Sequence, residues 1–319
     1  MSLFRRALRI FILIAGVVAG MITVITAFFV RLLVSPPRQR LWTTPSGLGL
    51  PFEEIQFPAR DGLRLSGWFI PRKRANNQGS DTTIILVHGW PWNRLGSANE
   101  NALTDIPGSQ PVQLLHLAHA LHTAGYNVFM FDLRNHGQST AAPPVTFGLN
   151  EANDLLGAID YLDGREDIDA ERMGVIGFSA GANTLLYALP HTDKIKAGIA
   201  VQPTSIRIFA GRYANWLLGP LGVPVLWLTD LVYQMVSGMR LRAIEPVFAA
   251  AGAGKTPILF VQGKGDPWGT VQNVADMADA TPLSIEPLFV ETNGRYGGYQ
   301  YVIDHPEIAA SFFREQMGP

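Results

Sequence analysis

The stretch RMGVIGFSAGANTLLYAL, residues 172–189, decides how the chain is read. Its first half is a short apolar run, as a buried strand requires, and its second half carries good helix formers. Between them sits Gly177-Phe178-Ser179-Ala180-Gly181, a G-x-S-x-G pentapeptide. The glycines let the chain turn sharply around a serine held in a strained backbone geometry. The Ser179 hydroxyl then stands at a helix N-terminus, where the peptide dipoles favour developing negative charge. The pentapeptide alone is common. The strand before it and the helix after it give it meaning.

Working outward, TIILVHG, YNVFMFD, IKAGIAV, PILFVQG and SIEPLFV read as strands. VQLLHLAHALHTAG, EANDLLGAIDYLDG, VQNVADMADA and PEIAASFFREQ read as helices. Near-continuous apolar strands alternating with helices predict an α/β fold with a mostly parallel sheet covered on both faces. Ahead of it, IQFPA and LRLSGWFI flank Arg60-Asp61-Gly62 and predict an antiparallel hairpin. Residues 76–80 read as a polar turn. Residues 203–250 break the rhythm: they are apolar, aromatic, helical in pattern and too long for an ordinary connection. They are expected to form a helical lid lining an apolar pocket, with extra packing on the sheet edge as the bland alternative.

Residues 10–30 form an uncharged apolar run between Arg9 and Arg31. At 1.5 Å per residue such a helix spans roughly the 30 Å hydrocarbon core of a bilayer. A signal-peptide apolar region is usually only about 7–15 residues, so an uncleaved single-pass membrane anchor is expected. Ser35-Pro36-Pro37 ends the helix. The predicted organisation is an anchor and linker over residues 1–40 and one large domain over 41–319. Arg5, Arg6 and Arg9 precede the run while Arg31, Arg38 and Arg40 follow it, so the charge rule nearly ties. A short basic tail usually stays cytoplasmic, which puts the domain on the extracytoplasmic side. The net charge of −1 gives no field to attract nucleic acid, and the absence of Cys excludes thiolate metal sites and a cysteine nucleophile. His116, His119 and His122 share one helix but lack a carboxylate or thiolate partner, so no metal is expected.

Taken together, DGLRLSGWFIP, ILVHGW, FDLRNHGQS, GFSAG and ILFVQGKGDPWG resemble, in order, the α/β-hydrolase superfamily over about residues 53–313. Within it the chain is most similar to bacterial membrane-anchored serine hydrolases of the serine aminopeptidase-like and acyl-thioesterase-like branches. The resemblance implies Ser179 as nucleophile and Asp266 as the acid that orients a histidine. It implies the backbone N–H groups of Trp90 and Ala180 as the oxyanion hole. His88, Asp132, Arg134 and His136 read as buttresses of the neighbouring turns.

The histidine is the difficulty. In VETNGRYGGYQYVIDHPE, residues 290–307, the family's histidine slot reads Tyr296, and a phenol with a pKa near 10 cannot relay a proton at neutral pH. His305, at the far end of what reads as one loop, is the candidate displaced base, and a surface helix cap is its alternative. The resulting expectation is a serine hydrolase acting on apolar carboxylic esters, thioesters or small amides, with no cofactor. Its rival is a catalytically impaired member of the fold that binds an apolar ligand or partner.

Overall fold

Antiparallel pairing opens the sheet and parallel pairing completes it. The computed structural model describes residues 2–72, 82–100 and 105–318, and the polar turn expected at 76–80 lies outside the described residues. Helix α1 (Ser2–Val34) leads into the hairpin β1 (Glu53–Pro58) and β2 (Arg64–Ile70). Next come β3 (Thr83–Val87), the two-residue strands β4 (Gly96–Ser97) and β5 (Val112–Gln113), α2 (Leu114–Thr123) and β6 (Asn127–Phe131). The chain continues through α3 (Ala152–Asp163), β7 (Met173–Phe178), α4 (Ala180–Ala188) and β8 (Ile195–Val201). Residues 203–250 hold α5 (Ile206–Leu218), α6 (Gly222–Ser237) and α7 (Pro246–Ala250). The end of the chain alternates β9 (Ile258–Gly263), α8 (Val271–Ala280), β10 (Ser284–Val290), α9 (Gly294–Asp304) and α10 (Pro306–Met317).

The eight-stranded order is β1-β2-β6-β3-β7-β8-β9-β10, with every pair from β6 to β10 parallel. The central strands are apolar on both faces because both are covered. Ile84 and Leu86 of β3 pack in the cluster that holds Leu117 and Phe313, whereas Ile85 and Val87 pack in the one that holds Leu155 and Leu185. This two-residue alternation is strand geometry read directly as burial. The chain places β6 on one side of β3 and β7 on the other. The crevice of such a sheet lies beyond the carboxyl ends of its strands at that switch of direction.

Helix α1 is long and apolar enough to cross a membrane over Phe4–Val34. Its side chains are largely exposed as far as Val24, but the last turns are docked. Leu32 is 1% exposed and lies in the main core, Phe29 meets Tyr213 edge-on at 6.1 Å, and the Val145 N–H donates to the Leu33 carbonyl at 2.9 Å. Residues 26–34, counted with the anchor in the sequence reading, are therefore built into the domain and pack along α6.

The turns after β3 and β6 are tied by the groups expected to buttress them. The Leu133 N–H donates to His88 Nε2 at 3.0 Å, which leaves the proton on Nδ1 facing the Gly89 carbonyl at 2.8 Å. Asp132 accepts from the Arg94 backbone N–H at 2.8 Å and from its guanidinium at 2.7 Å, both side chains being buried. Burial, and the nearby His136, push the His88 pKa from 6.5 down to about 3.

Two outcomes follow. Leu32→Ala should cost the protein about 2–5 kcal/mol in denaturant unfolding of the full chain in detergent, as for a core leucine. A loss near zero would return α1 to a pure anchor. On acidification, the unfolded chain takes up a proton at its histidine near pH 6.5, whereas folded His88 resists until about pH 3. Stability should therefore decline as pH falls through that window, and His88→Gln should flatten the slope of unfolding free energy against pH.

Candidate active site

Ser179 sits where β7 ends and α4 begins, with φ 53° and ψ −115°. A residue other than glycine in that region carries about 1–3 kcal/mol of strain, which surrounding structure has to hold. Here the Ser179 N–H donates to the Val201 carbonyl at 2.9 Å, and its carbonyl accepts from the Asn183 N–H at 3.0 Å. The flanking glycines are required by close approach. A Cβ on Gly177 would meet the Gly181 backbone, and one on Gly181 would meet the Val87 and His88 carbonyls.

The segment His88-Gly89-Trp90 runs past this turn. A Cβ on Gly89 would lie 3.1 Å from both the Phe178 carbonyl oxygen and Ser179 Cβ. The Ala180 N–H, in the first turn of α4, has no acceptor within its own helix. Trp90 and Ala180 line one pocket with Ser179. The two residues expected to form the oxyanion hole therefore border the same pocket as the serine.

Asp266 lies in the turn after β9, almost excluded from water. It accepts from the Trp268 N–H at 2.9 Å and from Gln262 Nε2 at 3.3 Å. Its principal partner is a residue the sequence reading passed over. Arg295 Nη1 lies 2.5 Å from Asp266 Oδ2, and Arg295 Nη2 donates to Ser179 Oγ at 3.2 Å and to the Gln202 carbonyl at 3.0 Å. The guanidinium thus stands between Asp266 and Ser179. Burial works against its charge, but the Asp266 carboxylate together with the neighbouring groups outweighs burial, and the pKa lies above the ordinary arginine value. It stays charged and has no lone pair to accept a proton. The hydrogen bond also runs the wrong way for a base, since Ser179 Oγ is its acceptor.

Two expectations are corrected here. Tyr296 is not the residue between Asp266 and Ser179: it is one position further along α9, about 100° round the helix. It lies buried against Trp92, Trp268 and Tyr299, and burial raises the pKa of its phenol. His305 is not brought to the serine at all. The segment read as a loop is helix α9, which separates Arg295 from His305 by about 15 Å along its axis. His305 ends that helix, half-exposed, with its Nδ1 3.2 Å from Glu307. The Tyr299 phenol does contact the Ser179 hydroxyl, but burial holds it protonated as well. The signal for Arg295 is the arginine itself: a cation set among the glycines and tyrosines of GRYGGY, next to the expected site of Asp266, is a candidate partner for that carboxylate.

The pocket over Ser179 is aromatic, walled by Trp90, Trp92, Phe147, Phe209, Trp268 and Tyr299. Helix α5 of the 203–250 segment supplies Phe209, over whose ring the Arg295 guanidinium lies at 5.3 Å. The indole N–H groups of Trp90, Trp92 and Trp268 are buried without an acceptor among the described residues. Those residues include no cluster of His, Cys, Asp and Glu that could hold a metal ion.

A family model described as the alpha/beta hydrolase fold matches residues 82–223. The uncharacterized protein YfhR of Salmonella typhi is 34% identical over 139 residues, 44% of this chain, and the match spans only 41% of that relative's length. The alpha/beta hydrolase domain-containing protein WAV2 of Arabidopsis thaliana is 28% identical over 79% of this chain and 75% of its own. Among solved structures, an esterase of Pyrococcus furiosus, Pf2001, superposes with a TM-score of 0.67 over 90% of this chain and 99% of its own. At 24% identity that likeness speaks for the fold alone. An uncharacterized protein of Mycobacterium tuberculosis strain CDC 1551 is 31% identical over 79% of both chains. With that similarity, the sheet order and the strained serine turn all in agreement, the chain belongs to the α/β-hydrolase family.

Proposed function

We propose that this is a slow carboxylic-ester hydrolase, tethered to a membrane by α1, in which Ser179 is the nucleophile and arginine has replaced the general base. The observation that carries the reading is the Asp266–Arg295–Ser179 chain of contacts beside the two residues expected to form the oxyanion hole. Ser179 attacks the ester carbonyl, and the Trp90 and Ala180 N–H groups hold the oxygen as it becomes negative. The Arg295 charge favours the same anion. It cannot collect the serine proton, which has to leave through water or the departing alcohol. In enzymes stripped of a triad member, binding and the oxyanion hole still leave roughly 10³–10⁴-fold over water. The aromatic walls suit apolar acyl groups, with thioesters and small amides as secondary substrates. On this reading the 203–250 helices act as the lid, and the short basic tail puts the domain on the extracytoplasmic side.

One observation favours a second reading, a binding protein without turnover. A permanent cation next to oxyanion amides suits a carboxylate at least as well as an ester.

Hydrolysis of p-nitrophenyl butyrate by the full chain separates the two. The wild type should turn over feebly and Ser179→Ala less still, with a fluorophosphonate probe labelling only the former. Arg295→His should raise kcat/KM by about tenfold or more, since a positioned base contributes roughly 10²–10⁴-fold. The gain should appear as pH rises through about 6.5, where an imidazole loses its proton. Equal rates and no labelling in wild type and Ser179→Ala would leave the binding reading. An Arg295→His variant no faster than wild type would show that the guanidinium is not what limits turnover.

A further inference from the structure

A second chamber adjoins the Ser179 pocket, and Trp90, Phe147, Ile206 and Phe209 border both. Most of its remaining wall comes from three helices, with Phe29 and Leu33 of α1, Tyr213 and Ala214 of α5, and Val225 and Leu226 of α6, and Leu241 adds to it. Among the described residues, no charged side chain lines it. From there a surface groove continues past Ala210 and Leu226 to Val223 and Trp227 on the outside of α6. The apolar chamber thus lies between the serine pocket and a groove on the outer side of α6, which Arg207, Asp230 and Arg242 also line, and α1 forms part of the chamber wall. A helix that served only as a tether would not need to line it.

The length of α1 says where that groove opens. Because residues from Thr26 onward are docked, only residues 10–25 remain free of charge and free of the domain. They make about 24 Å of helix, short of the roughly 30 Å hydrocarbon core. The shortfall is met if the docked end of α1, with α6 beside it, sinks into the bilayer. The outer face of α6 is suited to that: Val223 is 73% and Met235 78% exposed, with Trp227 also exposed.

We infer that the chamber holds the acyl chain of a lipid taken up directly from the bilayer, its carboxyl end lying at Ser179 between the oxyanion amides and Arg295. The inference rests on the reading of that pocket as a carboxyl-ester site, and it adds the substrate class and the route of entry. The chain enters through the groove beside Trp227, passes Ala210, and lies between α1 and α6.

The test uses binding, not turnover. The full chain in phosphatidylcholine nanodiscs is irradiated with palmitate carrying a diazirine at its methyl end, and labelled residues are mapped by mass spectrometry. Labelling should fall on chamber residues such as Phe29, Leu33 and Val225, and excess palmitate should suppress it at least fivefold while butyrate does not. Ala210→Phe, which narrows the passage at a half-exposed position, should lower chamber labelling at least fivefold with the melting temperature unchanged. Label confined to the outward-facing residues of α1 and not suppressed by palmitate would overturn the inference. So would equal suppression by butyrate, which needs no variant to fold. A protein that hydrolyses no ester can still give the expected map, and an active esterase indifferent to chain length cannot. Failure of the catalytic reading and failure of this one are thereby told apart.

Discussion

The ion pair between Arg295 and Asp266 fastens the carboxyl end of the sheet. It joins the turn after β9 to the first turn of α9, and through the second guanidinium nitrogen it reaches the end of β8 at Gln202 and the serine turn after β7. Gln202 closes the frame from the other side, its Nε2 donating to the Arg295 carbonyl at 2.7 Å and its Oε1 accepting from the Gly263 N–H at 3.2 Å. Both charges are almost wholly out of water, so each is tolerable only because of the other. Losing one partner of such a pair typically costs about 3–5 kcal/mol, because the remaining charge is left buried and uncompensated.

That same pairing limits what the group beside Ser179 can do with a proton. An imidazole satisfies a carboxylate with one proton and can exchange the proton on its other nitrogen. A guanidinium satisfies it with a fixed charge and exchanges nothing. The strained backbone at Ser179 and the close glycines stand beside this guanidinium. On the proposed reading, what sets the site apart from one built on histidine is the mobility of one proton.

Much of this was legible in the chain. The parallel sheet followed from uninterrupted apolar runs, and the serine turn followed from two glycines placed between a strand and a helix. The nature of residues 290–307 did not follow. Gly294, Gly297 and Gly298 argue locally for a loop, yet the segment is helical because tertiary packing overrides propensity. Gly298 is small because Gln202 lies against it, a long-range contact that no local pattern announces. Once the helix is missed, the slot shifts by one residue, and Tyr296 is read where Arg295 stands. The docking of α1 was hidden for a different reason: apolar side chains look alike whether their neighbours are lipid or protein, so Leu32 and Val24 could not be told apart by composition.

The docking of α1 also sets an order of assembly. Leu32 and Leu33 emerge from the ribosome before Val145, which bonds back to the Leu33 carbonyl, and well before α6, which packs along the same helix. During synthesis this strip of the first helix has no protein to cover it. If the helix is already in the bilayer, lipid shields the strip until the later helices arrive, and completion of the domain displaces that lipid. The last step of folding is then an exchange of one apolar neighbour for another at the membrane surface, and the nascent domain matures next to that bilayer.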